Sequence, residues 1–264
     1  MDLLTPRHYT GIIRKKIQLT KTAYHFMIEN EIPLELSFKP GQYATFIIDQ
    51  QTRRQYSFCS VPDPLIFELV VDVSPMGPGS KYFLEKKEGE RVEFLGPLGN
   101  FTLNQNSLKK IFVATGTGIA PFRSMLLNTI LKIKDQKSKI PASPAGRQIK
   151  NQKEQNTENN DERRTMSISL YWGLRYEDDV YWDEEFRTIA GQYTSFQYFL
   201  SLSKPSENWH GLTGHITDHV FENEKNLQNC EFYLCGNSAM IKEMENRLSA
   251  LNVKKEQTKI DLFY

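Results

Sequence analysis

Over the first hundred residues the apolar positions recur on a period of two. Tyr24, Phe26 and Ile28 alternate with Ala23, His25 and Met27, and the short runs QYATFII, LIFELVVDV and RVEFL follow. Between them stand KPGQ, SPMGPGS and LGPLGN, where proline and glycine stop strands and open turns. Closely spaced strands with this punctuation predict an antiparallel barrel or sandwich. From Lys109 the rhythm changes. The apolar runs KIFVAT, MSISLYW, SFQYFLSLS, EFYLCG and TKIDLF alternate with the helix-period runs PFRSMLLNTILK, VYWDEEFRTIA, ITDHVF and SAMIKEMENRLSAL. Buried strands separated by helices predict a parallel sheet covered on both faces. The change of rhythm sets the expected boundary between 104 and 108, giving a strand-built domain over 1–104 and an α/β domain over 108–264.

One stretch follows neither period. Between Lys132 and Thr165 the only apolar residues are Ile133, Ile140, Ala142, Ala145 and Ile149, there is no aromatic ring, and nine Lys/Arg face five Asp/Glu. So little apolar surface cannot offset the entropy of ordering, so 132–165 reads as a disordered insertion, with a basic tether for an acidic partner as the alternative. The insertion carries +4 while the whole 264-residue chain carries +1, so the remainder is mildly acidic and no global field points to nucleic acid. Three cysteines, Cys59, Cys230 and Cys235, are too few for a four-thiolate cluster and the wrong parity for a disulfide framework. No run approaches the length of a membrane span, and the start lacks an apolar leader. A soluble cytoplasmic protein with reduced thiols and no metal site is expected.

Candidate chemistry sits where strands meet helices. VATGTGIAP, Val113 to Pro121, ends a buried strand with Gly116 and Gly118, which let backbone approach a phosphate at the following helix terminus. Cys235, Gly236 and Asn237 end a later strand in the same way. In the first half, Arg54, Gln55, Tyr56 and Ser57 bring a cation, a ring and a hydroxyl to one strand, with Arg54 and Tyr56 on one face. An arginine suits a diphosphate, and an aromatic suits a planar ring. Gly77, Pro78, Gly79 and Ser80 form a glycine turn that opens a short helix, a second anion seat.

Taken in order, RQYS, GPGS, GPLGNF, GTGIAPFRS, YWGLRYEDDVYWDEEF, LSLSKPSENWHGLTGHITD and YLCGNSAM resemble the ferredoxin-NADP reductase superfamily of FAD-dependent NAD(P)H oxidoreductases. The resemblance spans nearly the whole chain outside the insertion. It implies a two-domain fold: an N-terminal antiparallel Greek-key β-barrel that binds FAD and a C-terminal α/β parallel-sheet domain that binds NAD(P). It implies that Arg54 holds the flavin pyrophosphate, Tyr56 packs on the isoalloxazine and the Ser57 hydroxyl lies near flavin N5. Gly77, Pro78, Gly79 and Ser80 match the pyrophosphate turn, and Gln55, Val71 and Thr117 are expected among the further flavin contacts. Gly116, Gly118 and Pro121 match the nicotinamide-nucleotide turn, and Cys235 and Gly236 match the pair beside the nicotinamide ring. Phe263 or Tyr264 is expected to cover the flavin, and Asp261 to join Ser57 and Cys235 at the reaction centre. Cys230 has no counterpart in the motif and reads as structural.

NADPH and NADH differ by a phosphate on the adenosine ribose. Arg175, Ser203 and Lys204 stand where NADP-using members place their phosphate ligands, although His215 replaces an arginine found in some members. The expected activity is that of a ferredoxin (flavodoxin)–NAD(P)+ reductase passing single electrons to a separate acceptor protein. An NADH-dependent oxygenase reductase component, a flavin reductase and an electron-transfer subunit of a larger complex are the alternatives. A monomer is expected, without nucleic-acid or membrane partners.

Overall fold

The computed structural model describes residues 6–74, 76–138 and 166–262. Six strands, β1 (Arg7–Gln18), β2 (Ala23–Ile32), β3 (Tyr43–Ile47), β4 (Arg53–Ser57), β5 (Ile66–Asp72) and β6 (Arg91–Leu98), form one sheet in the order β4-β3-β6-β1-β2-β5. Every neighbouring pair is antiparallel. The non-sequential run β3-β6-β1 is Greek-key connectivity, and the sheet curls until its outer strands meet. There Phe58 bridges Leu69, and the Cys59 N–H donates to the Glu68 carbonyl at 2.9 Å. Period-two alternation sends Phe26, Ile28, Phe46, Phe67, Leu69 and Phe94 inward, with α1 (Pro78–Glu85) adding Phe83. Phe46 stacks on Phe94 and meets Phe83 edge-on, each with centroids 5.2 Å apart. Such aromatic contacts add about 0.5–1.5 kcal/mol each beyond area burial.

The longest strand, β1, is absent from the sequence expectation. The register shift at Thr10/Gly11 leaves the extra residue, Glu31, on β2 and keeps Tyr9, Gly11 and Ile13 alternately buried, whereas the shift at Ile13/Lys15 adds Arg14 to β1 itself and the alternation stops there. Gly11 is required at the first shift, because a Cβ would lie 2.7 Å from the Ile28 side chain.

The second sheet holds β7 (Lys109–Thr115), β8 (Ile168–Leu174), β9 (Phe196–Leu202), β10 (Leu212–Thr213), β11 (Cys230–Gly236) and β12 (Thr258–Leu262), ordered β10-β9-β8-β7-β11-β12. All five pairings are parallel. The near-continuous apolar strands divide their side chains between two helix layers. Phe112, Ala114, Leu170 and Trp172 pack with α2 (Ile119–Ser138) and α3 (Asp183–Gln192). Ile111, Val113, Phe232 and Leu234 pack with α4 (Ile216–Asn223) and α5 (Ser238–Ala250). The two-residue β10 is too short to carry a period. At the N-terminal edge of this sheet, Lys110 Nζ, fully buried, pairs with Glu231 at 2.7 Å.

Helix α2 outruns its expected end at 132. Positions 132–138 continue the helix, correcting the start of the expected insertion, and 139–165 lie outside the described residues. Among the described residues no helix is long and apolar enough to cross a membrane.

Candidate functional site

The chain builds its second sheet outward from β7 through β8 and β9, then returns to lay β11 and β12 on the other side. The order therefore reverses between β7 and β11, and in open α/β sheets ligands sit in the crevice beyond the strand ends at such a point. Gly116 and Gly118 follow β7 at this crevice, and Cys235 and Gly236 end β11 there. Gly116 has φ +55° with open space where a side chain would stand. A Cβ on Gly118 would lie 2.2 Å from the Cys235 carbonyl oxygen, and one on Gly236, at φ +143°, 2.1 Å from Thr115 Oγ1. Only glycine lets the two turns touch, which brings backbone N–H groups to the crevice without side chains in the way.

Two residues staple these turns. The Asn237 N–H and side-chain amide donate to Thr115 Oγ1 at 2.8 and 3.1 Å, while Asn237 Oδ1 caps α5 by accepting from the Met240 N–H at 2.8 Å. Trp172 Nε1 donates to the Gly116 carbonyl at 2.9 Å. Asn before SAMIKEM is a legible helix cap. The Thr115 and Trp172 contacts are not legible, since they join separate strands. Pro121 is buried in the first turn of α2, and Thr117 is half-buried within the glycine turn.

On the barrel, alternation along β4 leaves Arg54 and Tyr56 half-buried on one face and Ser57 buried on the other, with Gln55 exposed. The Tyr56 ring is held edge-on by Phe83 at 4.8 Å and Phe46 at 5.8 Å. Helix α1 begins with Pro78 after Gly77, and no side chain caps it. Its Gly79 lies so close to β4 that a Cβ would be 2.4 Å from the Tyr56 hydroxyl and 2.9 Å from Arg54 Cγ, whereas Gly77 faces open space. An uncapped helix N-terminus thus meets an aromatic ring and the stem of Arg54, whose Nη1 donates to the Arg53 carbonyl at 2.7 Å, a set of groups that fits a diphosphate bearing a planar group. Ser80 turns away, donating to the Asp72 carbonyl at 3.3 Å. Val71 is spent in the barrel core at 1% exposure, so its backbone alone can reach a ligand.

The other face of β4 meets the second sheet. Ser57 Oγ donates to Asp261 Oδ2 at 3.3 Å, and the Cys235 thiol lies 3.9 Å from the same oxygen. Asp261 pairs with Cys235 in the β11–β12 ladder, which fixes this meeting. Burial pushes the Asp261 carboxyl up to about 6, against the lowering by Ser57 and Cys235. Burial holds the Cys235 thiol well above its ordinary range, so it stays protonated and is no nucleophile. Tyr43, the register partner of Ser57, has no signal in the sequence; burial and the Asp261 charge raise its hydroxyl. Phe263 and Tyr264 lie outside the described residues.

At the ends of β8 and β9 the Lys204 N–H donates to the Arg175 carbonyl at 2.9 Å, and the Ser203 N–H to Leu174 at 3.0 Å. This sets Arg175, Ser203 and Lys204 side by side and exposed, with exposed His215 at the start of α4. Cys230 is buried at the opposite end of β11, away from these groups. Among the described residues His25, Cys59 and Glu68 form the one grouping tight enough for a metal. Arg123 already donates to Glu68 at 2.9 Å and burial keeps the Cys59 thiol protonated, so this is ion-pair chemistry.

A barrel whose groups fit a ring with its diphosphate, abutting a parallel sheet with a glycine-lined switch point, fits one class: two-domain reductases that carry a flavin and meet a nicotinamide dinucleotide. Residues 11–103 match the oxidoreductase FAD-binding domain family and residues 112–246 the oxidoreductase NAD-binding domain family. The chain belongs to the ferredoxin reductase-type superfamily of FAD- and NAD(P)-binding oxidoreductases, which transfer electrons. It is 30% identical over 217 residues to the anthranilate 1,2-dioxygenase electron transfer component of Acinetobacter baylyi, covering 81% of this chain and 54% of that protein. It is 27% identical over 231 residues to one subunit of the Na(+)-translocating NADH-quinone reductase of Pseudomonas paraeruginosa, covering 82% and 50%. The chain thus spans about half the length of the curated relatives it matches. The fold is shared with a cytochrome P450 reductase from Amycolatopsis (TM-score 0.77, 21% identity, 98% of this chain and 70% of that one). It is shared also with a ferredoxin NADP+ reductase from Neisseria gonorrhoeae (TM-score 0.71, 18% identity, 96% and 98%).

Proposed function

We propose that the chain takes reducing equivalents from NAD(P)H and passes single electrons to a separate acceptor protein, in the manner of a ferredoxin (flavodoxin)–NAD(P)+ reductase. In this reading residues 1–104 hold FAD and residues 108–264 hold the nicotinamide nucleotide. The observation that carries it is the convergence of Ser57, from the strand bearing Arg54 and Tyr56, with Cys235 and Asp261, from the strands beside the glycine turns. The strands that supply this buried polar group are the ones that carry the two proposed seats.

Bound FAD supplies the conversion between a two-electron hydride donor and one-electron acceptors. The protein supplies position, charge and exclusion of water. Arg54 and the α1 N-terminus neutralise the diphosphate, with Gly77, Pro78, Gly79 and Ser80 forming the turn, while Tyr56 packs on the ring and Gln55, Val71 and Thr117 border it. Ser57 offers a hydroxyl at the edge where the rings meet. Cys235 packs there as a small protonated thiol, and Asp261 holds or releases a proton at Oδ2 near neutral pH. Gly116, Gly118 and Pro121 form the turn for the nucleotide phosphates, and Gly236 stands with Cys235 beside the nicotinamide ring. Arg175, Ser203 and Lys204 meet the adenosine ribose, and the paired cations favour the 2'-phosphate of NADPH.

The relative from Acinetobacter baylyi, named as an oxygenase electron transfer component, supports a second reading with an oxygenase as acceptor. An acceptor comparison separates the two. The flavin-loaded protein is given NADPH or NADH with a ferredoxin, a flavodoxin, free flavin or an oxygenase component, and acceptor reduction is followed optically. Efficient turnover with ferredoxin or flavodoxin supports the first reading. Turnover with the oxygenase component alone overturns it.

A further inference from the structure

The motif GTGIAPFRS carries a cation, next to its last residue, that neither proposed seat uses. Arg123, in the second turn of α2, is buried to 12% side-chain exposure yet makes a four-way junction. Its Nε and Nη2 donate to the Glu185 carboxylate at 2.8 and 3.0 Å, a bidentate grip on α3. Its Nη1 reaches across to the barrel, donating to the Cys59 carbonyl at 3.0 Å and Glu68 Oε2 at 2.9 Å. The guanidinium lies 4.5 Å from the Trp182 ring. His25 completes the barrel side, 3.2 Å from the same Glu68 oxygen and edge-on to Trp182 at 5.5 Å.

Two features separate this junction from an ordinary surface ion pair. Cys59 follows Ser57 by two residues and Arg123 follows Gly118 by five, so one side chain ties the strand of the flavin seat to the turn of the nucleotide seat. Trp182 stands at φ 56°, a left-handed backbone that a bulky residue rarely adopts, and this conformation lays its ring against the guanidinium. Charge at Glu68 fits the role. Burial pushes its carboxyl up, but hydrogen bonds from His25 and Arg123 outweigh burial and hold it below the usual range.

We propose that Arg123 is a positioning residue that clamps the two sheets together and so sets the nucleotide turn at its working distance from the flavin strand. This rests on the reading that the two seats exchange hydride. The clamp touches neither seat: Arg54, Tyr56 and Gly79 belong wholly to the barrel, and Gly116, Gly118 and Gly236 wholly to the parallel sheet. Loss of the clamp therefore leaves each ligand bound and slows the transfer between them. Misplacement by about 1 Å is enough for a loss on the order of a hundredfold.

The test is anaerobic stopped-flow reduction of the flavin-loaded protein across a range of NADPH and of NADH concentrations. Arg123→Met should retain FAD at wild-type stoichiometry, keep the nucleotide Kd within about threefold, and lower the limiting reduction rate by about tenfold or more. Arg123→Lys keeps the charge without the fork and should recover part of the rate. A limiting rate within about twofold of wild type in folded Arg123→Met overturns the proposal, as does a loss confined to Kd. Should Arg123→Met fail to fold, Glu68→Gln removes the charged barrel partner alone and should slow the limiting rate in the same direction; an unchanged rate overturns the proposal. Wild-type protein that binds FAD but is not bleached by either nucleotide would sink the functional reading instead. Amide exchange of 57–60 and 116–122 then decides the clamp, with faster exchange of both segments in Arg123→Met expected and unchanged protection overturning it.

Discussion

Asp261 has a pH signature of its own. Its folded-state value of about 6 stands above the ordinary carboxylate range, so between those two values the folded protein holds a proton that the unfolded chain has lost. The stability this contributes is complete below about pH 4 and is lost as pH rises through about 6, for a change of about 2–3 kcal/mol. Asp261→Asn should flatten that loss in urea denaturation between pH 4.5 and 7.5; an unchanged slope contradicts the assignment. Arg54 is the simplest binding test. Charge-assisted hydrogen bonds to a diphosphate contribute about 1.5–3 kcal/mol, so Arg54→Ala should weaken FAD by about tenfold or more and shed it on gel filtration. Full retention would remove Arg54 from the seat. Arg175→Ala and Lys204→Ala, made separately, should raise KM for NADPH by about tenfold and leave that for NADH within about twofold. Equal effects on both donors would refute a phosphate clamp.

At the scale of elements, the legible parts were those whose signal is local. The runs KIFVAT and EFYLCG read as strands because burial on both faces makes them continuously apolar, and GTG and CGN read as turns because glycine follows them at once. Strand β1 is not legible, since the extra Arg14 ends its alternation after Ile13. The sequence pattern ends α2 at 132 rather than 138, because the polar run after Lys132 lacks the apolar stripe by which a packed helix is recognised. The site divides in the same way. Arg54, Tyr56 and Gly79 could be named from sequence, but the reason Gly79 must be glycine is an approach to Tyr56 from 23 positions away. Thr115, Trp172, Tyr43 and the Arg123 junction act across strands and leave no local trace. The glycine turn offers a test at this scale. Gly118→Ala drives a methyl into the Cys235 carbonyl, 2.2 Å from the ideal Cβ, so the turn must shift. Flavin content should remain, while the nucleotide KM rises by about tenfold or more. Normal kinetics would mean the turn does not hold the nucleotide.

At the scale of the molecule, the core of the parallel sheet takes in Ala23, Cys59 and Val70 from the barrel, and a line of polar contacts runs along the same seam. Ser57 with Asp261, Arg123 with Glu68, and Lys259 with the Thr102 carbonyl at 2.7 Å all cross from one sheet or its trailing segment to the other. Hydrogen bonds demand direction where apolar contact demands only area, so this junction fixes an orientation as well as a contact. The proposed transfer between two bound rings needs such a fixed orientation. Purified protein loaded with FAD and mixed anaerobically with NADPH or NADH in separate cuvettes tests the whole account at once. Rapid bleaching of the flavin's visible band, faster with NADPH, is the predicted result; a protein that takes up no FAD, or whose bound flavin stays oxidised with both nucleotides, would contradict it.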